Sequence, residues 1–365
     1  MKKIKVWFSL MLLVITGSAI VSCNGSDDDS DNNGNNSGDR VSIHITSDKS
    51  EVEADGKSIV TLKVVDNNGV DVTKSCFITN VAKDVAYNKG VNTFSFMENT
   101  ESKYAARCGD LYSDTVSVNS KNRKKYELYK KQIAVFKLTG TWCVNCPAMT
   151  TSLKEVKKKM PGKIIELALH AGTSSSSDPF HINETVKFAE AMGNLNAFPT
   201  AIFNLKQSTK SGSSSVTLRN NAETELINDP AICAIKVKTA FDESSRMLNV
   251  ESALITDKGG EFELACAILQ DGIVAYQEGA GNDYVHDNTA LTFSTNFLGS
   301  SNKAKLQAGE ESETVTFNVA LAESIDVSKV KVIIYALTNT PIANAVNNIV
   351  ECKVNSSVDY VENED

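Results

Sequence analysis

Alternating hydrophobic and polar positions dominate the chain from residue 41 to residue 120. In Val41–Ile45 the apolar side chains occupy every second position, and Ile59–Val65 is rich in β-branched residues and ends at the turn-forming segment Asp66–Gly69. A period of two, with turn residues between the runs, is typical of half-buried strands. The pattern therefore predicts a β domain over residues 41–120.

The pattern changes at about Gln132, where short apolar runs alternate with segments of helical periodicity. The predicted strands are Ile133–Phe136, Ile164–Leu169 and Thr200–Phe203, and the predicted helices are Pro147–Met160 and Asn183–Met192. Strands that alternate with helices favour a sheet that contains parallel strands. We predict an α/β domain over residues 121–229.

Helical periodicity fades after about Pro230. Short strand-like segments follow one another up to residue 355, and Asp257–Gly260 forms a turn between two of them. Several short strands at this spacing favour two packed sheets. We predict a C-terminal β-sandwich over residues 230–355, followed by an acidic tail over residues 356–365.

The N-terminus has the features of an export signal. Residues 1–22 combine lysines with an apolar core that is too short to span a membrane as a mature helix. Ile20–Cys23 resembles a bacterial lipoprotein box, with isoleucine where leucine is usual. A lipid on Cys23 would hold the chain at a membrane; the alternative is a secreted protein with an unpaired cysteine at this position. Apart from the cysteine, residues 23–40 contain no hydrophobic side chain, so we expect a disordered acidic tether.

The acidic segment behind the lipoprotein cysteine, Ser26–Asp29, looks like the export signal of Bacteroidetes surface lipoproteins. This resemblance implies a lipid-anchored protein of the outer membrane, at the external face of the cell. No later segment has 18 consecutive apolar residues, so we expect no membrane-spanning helix after the leader.

Charge narrows the classes of partner. The formal net charge is −8 at pH 7, which argues against nucleic-acid binding, since that function needs a basic face. The one strongly basic segment, Lys121–Lys131, is interpreted as a solvated linker rather than as a nucleic-acid patch.

The segment Thr139–Pro147 carries the sharpest chemical signal. It places Cys143 where a strand gives way to a helix, and Cys146 one turn further along the same helical face. Unpaired N–H groups at a helix N-terminus stabilise a thiolate, so Cys143 is the predicted nucleophile and Cys146 the resolving thiol. Trp142 is predicted to shield the two sulfurs. A structural disulfide and half of a zinc site are the alternatives.

Other chemistry is sparse in this sequence. There is no phosphate-binding loop and no Ser/His/Asp arrangement, and the remaining cysteines and histidines are too scattered to suggest a metal site. We therefore predict no cofactor and no metal. His170 ends an apolar strand, at the edge of the sheet where α/β sites gather. For this histidine, redox tuning and a structural hydrogen-bonded role both remain open.

The segment Asn196–Thr200 resembles the cis-proline loop of the thioredoxin fold, in which Pro199 would face the CxxC and hold an extended substrate segment. An ordinary trans proline is the alternative. The two motifs together predict a thioredoxin-like domain. Thioredoxins commonly carry a buried acid six residues before the first cysteine, where this chain has Lys137. Glu166 is a candidate replacement, with a redox-tuning role, if its side chain faces Cys146.

The run Ser50–Leu62 resembles the opening of bacterial immunoglobulin-like domains. Cys76 and Cys108 are the cysteines of this region. In an oxidising compartment they would form a disulfide that bridges the two sheets of a sandwich, and two buried free thiols are the alternative. Such a domain usually acts as a spacer or a binding module.

A longer stretch, from about Ile133 to Lys353, resembles the outer membrane protein 28 family of Bacteroidetes, which joins a thioredoxin-like domain to a β-rich C-terminal domain. The matching segments are Thr139–Pro147, His170, Phe198–Pro199, Asn204, Gln270–Gln277 and Tyr284–His286. The resemblance implies placement at the outer membrane or cell surface. It defines no biochemical activity.

Two functions of different classes fit these observations. The first is a thiol–disulfide oxidoreductase that acts on extracytoplasmic partner proteins through Cys143 and Cys146. The second is a non-catalytic surface lipoprotein for binding or adhesion, in which the CxxC forms a structural disulfide.

Overall fold

The structure is a computed structural model that describes residues 40–172, 177–206, 210–298, 303–339 and 344–364. The predicted leader, Cys23 and the tether as far as Asp39 lie outside these residues, so lipidation and membrane anchoring stay predictions. Residues 40–365 form one structural unit. Within its described part, no helix is both long enough and apolar enough to cross a bilayer.

The N-terminal region is built of strands, in agreement with the period of two in its sequence. One sheet has the order β1-β3-β6 and the other the order β2-β8-β7-β4-β5. Alternate side chains such as Leu62 and Ile78 meet in one core between the two sheets. The strands are β1 (Ile43–Ser47), β2 (Glu51–Glu53), β3 (Val60–Asp66), β4 (Phe77–Asn80), β5 (Val85–Ala86), β6 (Thr93–Phe94), β7 (Thr100–Cys108) and β8 (Leu111–Lys121).

Cys76 and Cys108 form a disulfide, as expected, but it does not join the two sheets. Cys76 directly precedes β4 and Cys108 ends β7, and these strands are antiparallel neighbours in which Phe77 pairs with Arg107. The expected bridge between sheets is therefore wrong. The sequence shows which cysteines are available but not which strands become neighbours.

The central region has the predicted alternation of strands and helices. Its elements are α1 (Arg123–Tyr126), β9 (Ile133–Thr139), α2 (Cys146–Lys159), β10 (Ile164–His170), α3 (Asn183–Ala191), β11 (Thr200–Phe203) and α4 (Ser215–Asn228). Strands β9 and β10 are parallel, and β11 is antiparallel to β9. Helix α4 was not predicted from the sequence.

The C-terminal region is rich in strands, as predicted, and part of it continues the sheet of the central region. In the described residues the large sheet has the order β11-β9-β10-β17-β14-β20-β21, with β18 at the edge of β14, and a smaller sheet has the order β19-β13-β12-β22. Strand β17 joins β10 in parallel through Thr289 and Ala168. The strands are β12 (Cys233–Asp242), β13 (Met247–Thr256), β14 (Gly260–Gln270), β15 (Ile273–Gln277), β16 (Gly281–His286), β17 (Thr289–Phe293), β18 (Ala304–Leu306), β19 (Val315–Ala320), β20 (Val330–Asn339), β21 (Asn344–Lys353) and β22 (Ser357–Val358).

Both faces of the large sheet are covered. On one face a single core runs from the α/β part into the β part, where Phe136 contacts Phe188 of α3 and Tyr335 of β20 with ring centroids 5.3 and 5.7 Å apart. On the other face, Leu153 of α2 belongs to a core under α2 and α4. The smaller sheet covers the rest of that face through residues such as Leu254. Burial of this kind stabilises the fold by about 25 cal/mol per Å² of apolar surface.

The basic connector is not the solvated linker that its charge suggested. Arg123 is buried and forms an ion pair with Glu127, and Tyr129 and Lys131 are also buried. The Lys131 ammonium contacts Asp229 at 3.3 Å and donates to the carbonyl of Asn347. Buried lysines and arginines need such partners, because an unpaired charge is costly to remove from water.

Candidate functional site

The two cysteines of the CxxC lie between β9 and α2, as the sequence predicted, but α2 begins at Cys146, so Cys143 precedes the helix and does not start it. They are joined by a disulfide with their Cα atoms 5.4 Å apart. Pro147 occupies the first turn of α2, where its missing N–H costs no hydrogen bond. The sulfurs therefore lie at the positive end of a helix dipole, which favours a thiolate once the pair is reduced.

The loop that contains Pro199 lies beside the CxxC. The Phe198–Pro199 peptide bond is cis, as the sequence suggested, and it leads directly into β11. The Trp142 ring packs edge-on against Phe198 with ring centroids 5.2 Å apart, and its indole N–H donates to the carbonyl of Ala171 at 2.7 Å. Trp142 therefore links the CxxC loop both to the proline loop and to the end of β10.

A hairpin from the C-terminal region, formed by β15 and β16, covers the CxxC. The side-chain amide of Gln277 donates to the carbonyls of Gly140 (3.1 Å) and Cys143 (2.9 Å), and the backbone N–H of Glu278 donates to the carbonyl of Thr141 (2.7 Å). Cys143 itself is only 4% exposed. Gln277 is a site residue that was not predicted from the sequence.

Gly279 allows this close approach of the hairpin. A Cβ at Gly279 would lie 2.9 Å from the carbonyl oxygen of Val144, and the residue has a φ of +79°. Both features favour glycine over other residues. The hairpin turn is thus shaped to fit against the CxxC loop.

His170 ends β10 close to the CxxC loop and has a buried carboxylate partner. Its Nδ1 lies 3.0 Å from Oδ2 of Asp178, which also accepts a hydrogen bond from the backbone N–H of Thr141 at 2.7 Å. Burial works against ionisation of Asp178, but its hydrogen bonds and the nearby imidazole of His170 hold its pKa below the usual value. His170 and Asp178 thereby fix the start of the CxxC loop.

His286 of the hairpin packs against His170, although the two residues are far apart along the chain. Their ring centroids are 5.4 Å apart, and His286 also contacts Tyr284. Burial, followed by repulsion from His170, lowers the pKa of His286 to about 4. The imidazole is therefore neutral at pH 7, and among the described residues its Nε2 has no hydrogen-bond partner.

Lys137 and Glu166 form a buried ion pair beneath the CxxC. The Lys137 ammonium lies 2.7 Å from Oε1 of Glu166, whose Oε2 lies 2.8 Å from the ammonium of Lys157 and accepts from Asn288 at 3.4 Å. Burial opposes ionisation of Glu166, but the two lysines lower its pKa to about 2. Among the contacts of the described residues, the Glu166 carboxylate binds these two lysines and does not touch Cys146. The direct contact with Cys146 on which its predicted redox-tuning role depends is therefore not observed.

A small cavity lies between the ion pair and the hairpin. Its volume is about 10 Å³, enough for about one water molecule. Its lining includes Lys137, Thr150, His170, Gln277 and His286. Residues from both halves of the chain thus enclose one polar space, and one of them, Gln277, also binds the carbonyl of Cys143.

The described residues contain no group of three or more His, Cys, Asp or Glu side chains that could hold a metal ion. Among the described cysteines, Cys233, Cys266 and Cys352 are unpaired and buried in strands. Burial raises the pKa of Cys233 and of Cys266 to about 12, so these thiols are poor nucleophiles.

Comparison with solved structures shows a likeness to HBP35 of Porphyromonas gingivalis, with 15% sequence identity and a TM-score of 0.52 over 62% of this chain and 76% of that protein. Protein AGR_C_4864 from Agrobacterium tumefaciens aligns with 13% identity and a TM-score of 0.43 over 61% of this chain and 95% of that protein. No family model and no curated protein matches the sequence. The resemblance to the outer membrane protein 28 family therefore stays a prediction.

The likeness to HBP35 is one of fold. This chain is a mixed α/β protein of several sheets, mostly strands, and its CxxC-containing α/β region has a thioredoxin-like fold similar to that of HBP35. This likeness shows the fold alone and fixes no activity for the chain.

Proposed function

We propose that this chain is a surface lipoprotein of the outer membrane whose thioredoxin-like domain exchanges thiols and disulfides with extracytoplasmic proteins. The observation that carries the proposal is the Cys143–Cys146 disulfide at the N-terminus of α2, next to the Phe198–Pro199 loop. The N-terminal strands act as an immunoglobulin-like spacer. The C-terminal strands form a sandwich that also supplies the cover of the site.

The exchange proceeds through one mixed disulfide. A substrate thiolate attacks Sγ of Cys143, and Cys146 leaves as a thiolate; in the reverse direction Cys143 attacks a substrate disulfide and Cys146 displaces the product. The helix N-terminus stabilises the thiolate on Cys143, and the proline loop holds the partner chain. Cys143 and Cys146 are both buried and Gln277 holds the hairpin against the carbonyl of Cys143, so we expect a partner to displace the hairpin before it reaches the sulfurs.

The location part of the proposal rests on the sequence of residues 1–40. Lipid attached to Cys23 anchors the chain, the acidic tether that follows gives it reach, and the surface placement follows from the resemblance of Ser26–Asp29 to a surface export signal. Metabolic labelling with a palmitate analogue tests this, with Cys23→Ser as the matched control. Loss of label and release of the protein in the variant are the expected results.

A trapping experiment tests the chemistry. In the mature chain, Cys146→Ser leaves Cys143 without its resolving partner, so a protein with an accessible disulfide should accumulate as a mixed disulfide. Cys143→Ser should capture nothing. The oxidoreductase proposal fails if Cys146→Ser also captures nothing and if glutathione does not reduce the wild-type disulfide while the protein stays folded.

The second candidate function is non-catalytic binding at the cell surface. The burial of both sulfurs favours it, since Cys143 is 4% and Cys146 1% exposed. In that case the disulfide only fastens the start of α2. Its reduction potential would lie below about −300 mV, as in structural disulfides, and binding would survive the double substitution of both cysteines.

A further inference from the structure

The position six residues before Cys143 holds a buried cation. The Lys137 side chain is 5% exposed, and its ammonium donates to Oγ1 of Thr150 at 3.1 Å. The Thr150 hydroxyl in turn donates to the carbonyl of Cys146 at 3.3 Å, one helical turn earlier in α2. Lys137 therefore lies within one side-chain contact of the turn that carries the resolving cysteine.

The charge around Lys137 is not balanced. One carboxylate, Glu166, faces two ammonium groups, Lys137 and Lys157, so this group carries a net charge of +1. The two other carboxylates near the cavity each have a partner of their own: Asp287 lies 3.3 Å from the ammonium of Lys154, and Asp178 lies 3.0 Å from Nδ1 of His170. A positive charge in a poorly hydrated site stabilises a nearby thiolate more strongly than it would in water.

We propose that Lys137 acts as a positioning residue that stabilises the thiolate form of the reduced CxxC, so that the Cys143–Cys146 disulfide serves as an oxidant of polypeptides with two free thiols. This inference rests on the proposed function and gives it a direction and a substrate class. Stabilising the reduced form of a dithiol pair raises its reduction potential.

The reaction balances without another component. A substrate thiolate attacks Cys143, the Cys143–Cys146 bond breaks, and Cys146 leaves as a thiolate next to the positive group. The second substrate thiolate then attacks the mixed disulfide, a substrate disulfide forms, and Cys143 leaves as a thiolate. Two electrons pass from the substrate sulfurs to the protein sulfurs. Of the two substrate protons, one goes to Cys146 and one to solvent.

Two substitutions of opposite sign test the proposal in glutathione redox buffers. Lys137→Met removes the cation and should make the protein disulfide about tenfold harder to reduce, which is about 30 mV. Glu166→Gln removes the carboxylate and should make it easier to reduce. Ultraviolet thiolate titration should show the apparent thiol pKa of the reduced CxxC rise in the first variant and fall in the second.

Controls separate charge from structure. Lys158→Met removes an exposed ammonium from the same helix and should leave the equilibrium within twofold of the wild type. Lys137→Arg should keep the wild-type equilibrium, because it keeps the positive charge. If Lys137→Met alone does not fold, the Lys137→Met, Glu166→Gln double variant is measured in its place, because it removes both members of the ion pair.

The proposal is overturned if Lys137→Met leaves the equilibrium unchanged, or if Lys137→Met and Glu166→Gln shift it in the same direction. A reduced model peptide with two thiols provides the functional readout, and the wild type should oxidise it faster than Lys137→Met does. If the wild type exchanges with neither the peptide nor glutathione, the proposed function itself fails. If it exchanges with both but the charge variants behave like the wild type, only the role of Lys137 fails.

Discussion

Opening of the hairpin should control access to the disulfide, and Gln277→Met is the perturbation that tests this. Methionine has nearly the length of glutamine but no N–H group, so the carbonyls of Gly140 and Cys143 lose their hydrogen bonds from this side chain. A buried hydrogen bond contributes about 0.5–1.5 kcal/mol net, so the loss of two should ease hairpin opening by about 1–3 kcal/mol. That energy corresponds to an increase of about 5- to 150-fold in the open population.

The rate of reduction by dithiothreitol reports this population, because the reductant must reach Cys143 in the open form. Trp142 is the single tryptophan beyond the leader, and it adjoins the disulfide, so its fluorescence can follow the reaction in stopped flow. Tyr276→Phe is the matched control: this residue lies on the same strand, but its side chain is exposed. We expect Gln277→Met to react about 5- to 150-fold faster and Tyr276→Phe to react at the wild-type rate. Equal rates in all three proteins would refute the hairpin as a gate.

Three further predictions concern stability. Replacing both Cys76 and Cys108 by alanine should lower the free energy of unfolding by about 3–4 kcal/mol in denaturant titrations, since the bridge spans 32 residues; an unchanged midpoint would contradict this. The pKa of Glu166 is about 2 in the fold against 4.5 ordinarily, so its contribution is present above pH 4.5 and lost as pH falls towards 2. Glu166→Gln should lack that part of the acid dependence in thermal melts across this range. The pKa of His286 is about 4 against 6.5, so stability should also fall as pH drops from 6.5 to 4. His286→Phe should flatten that slope, and a slope equal to that of the wild type would disprove the assignment.

The elements with strong local signals were predictable from the sequence. Helix α2 has apolar residues at helical spacing and a proline in its first turn, and β9 and β10 are mainly apolar runs, each with one charged residue. Helix α4 lacked such a signal because Val216 and the asparagines at its centre are weak helix formers. Its buried face also includes a carboxylate, Glu225, which is satisfied by Asn204 and Lys206 from the loop after β11. A polar residue on the core face hides the amphipathic pattern.

The candidate site was predictable only in its local part. The CxxC and the proline loop are short motifs, and the structure places them side by side. Gln277 and His286 come from a hairpin far along the chain, and their approach to Cys143 depends on how β17 joins β10. One signal was present: Gln277 continues the inner face of β15 after Ile273 and Ala275, whereas Val274 and Tyr276 point outwards. A polar side chain at the end of the inner face of a strand suggests that it has a hydrogen-bond partner on the segment against which that face packs.

The order in which the chain is synthesised gives the covering hairpin a consequence for biogenesis. Gln277 follows Cys143 by 134 residues, so a nascent polypeptide exposes both thiols well before the segment that hides them has been made. Before the hairpin docks, reagents can reach both cysteines directly, and after docking they can reach them only when the hairpin opens.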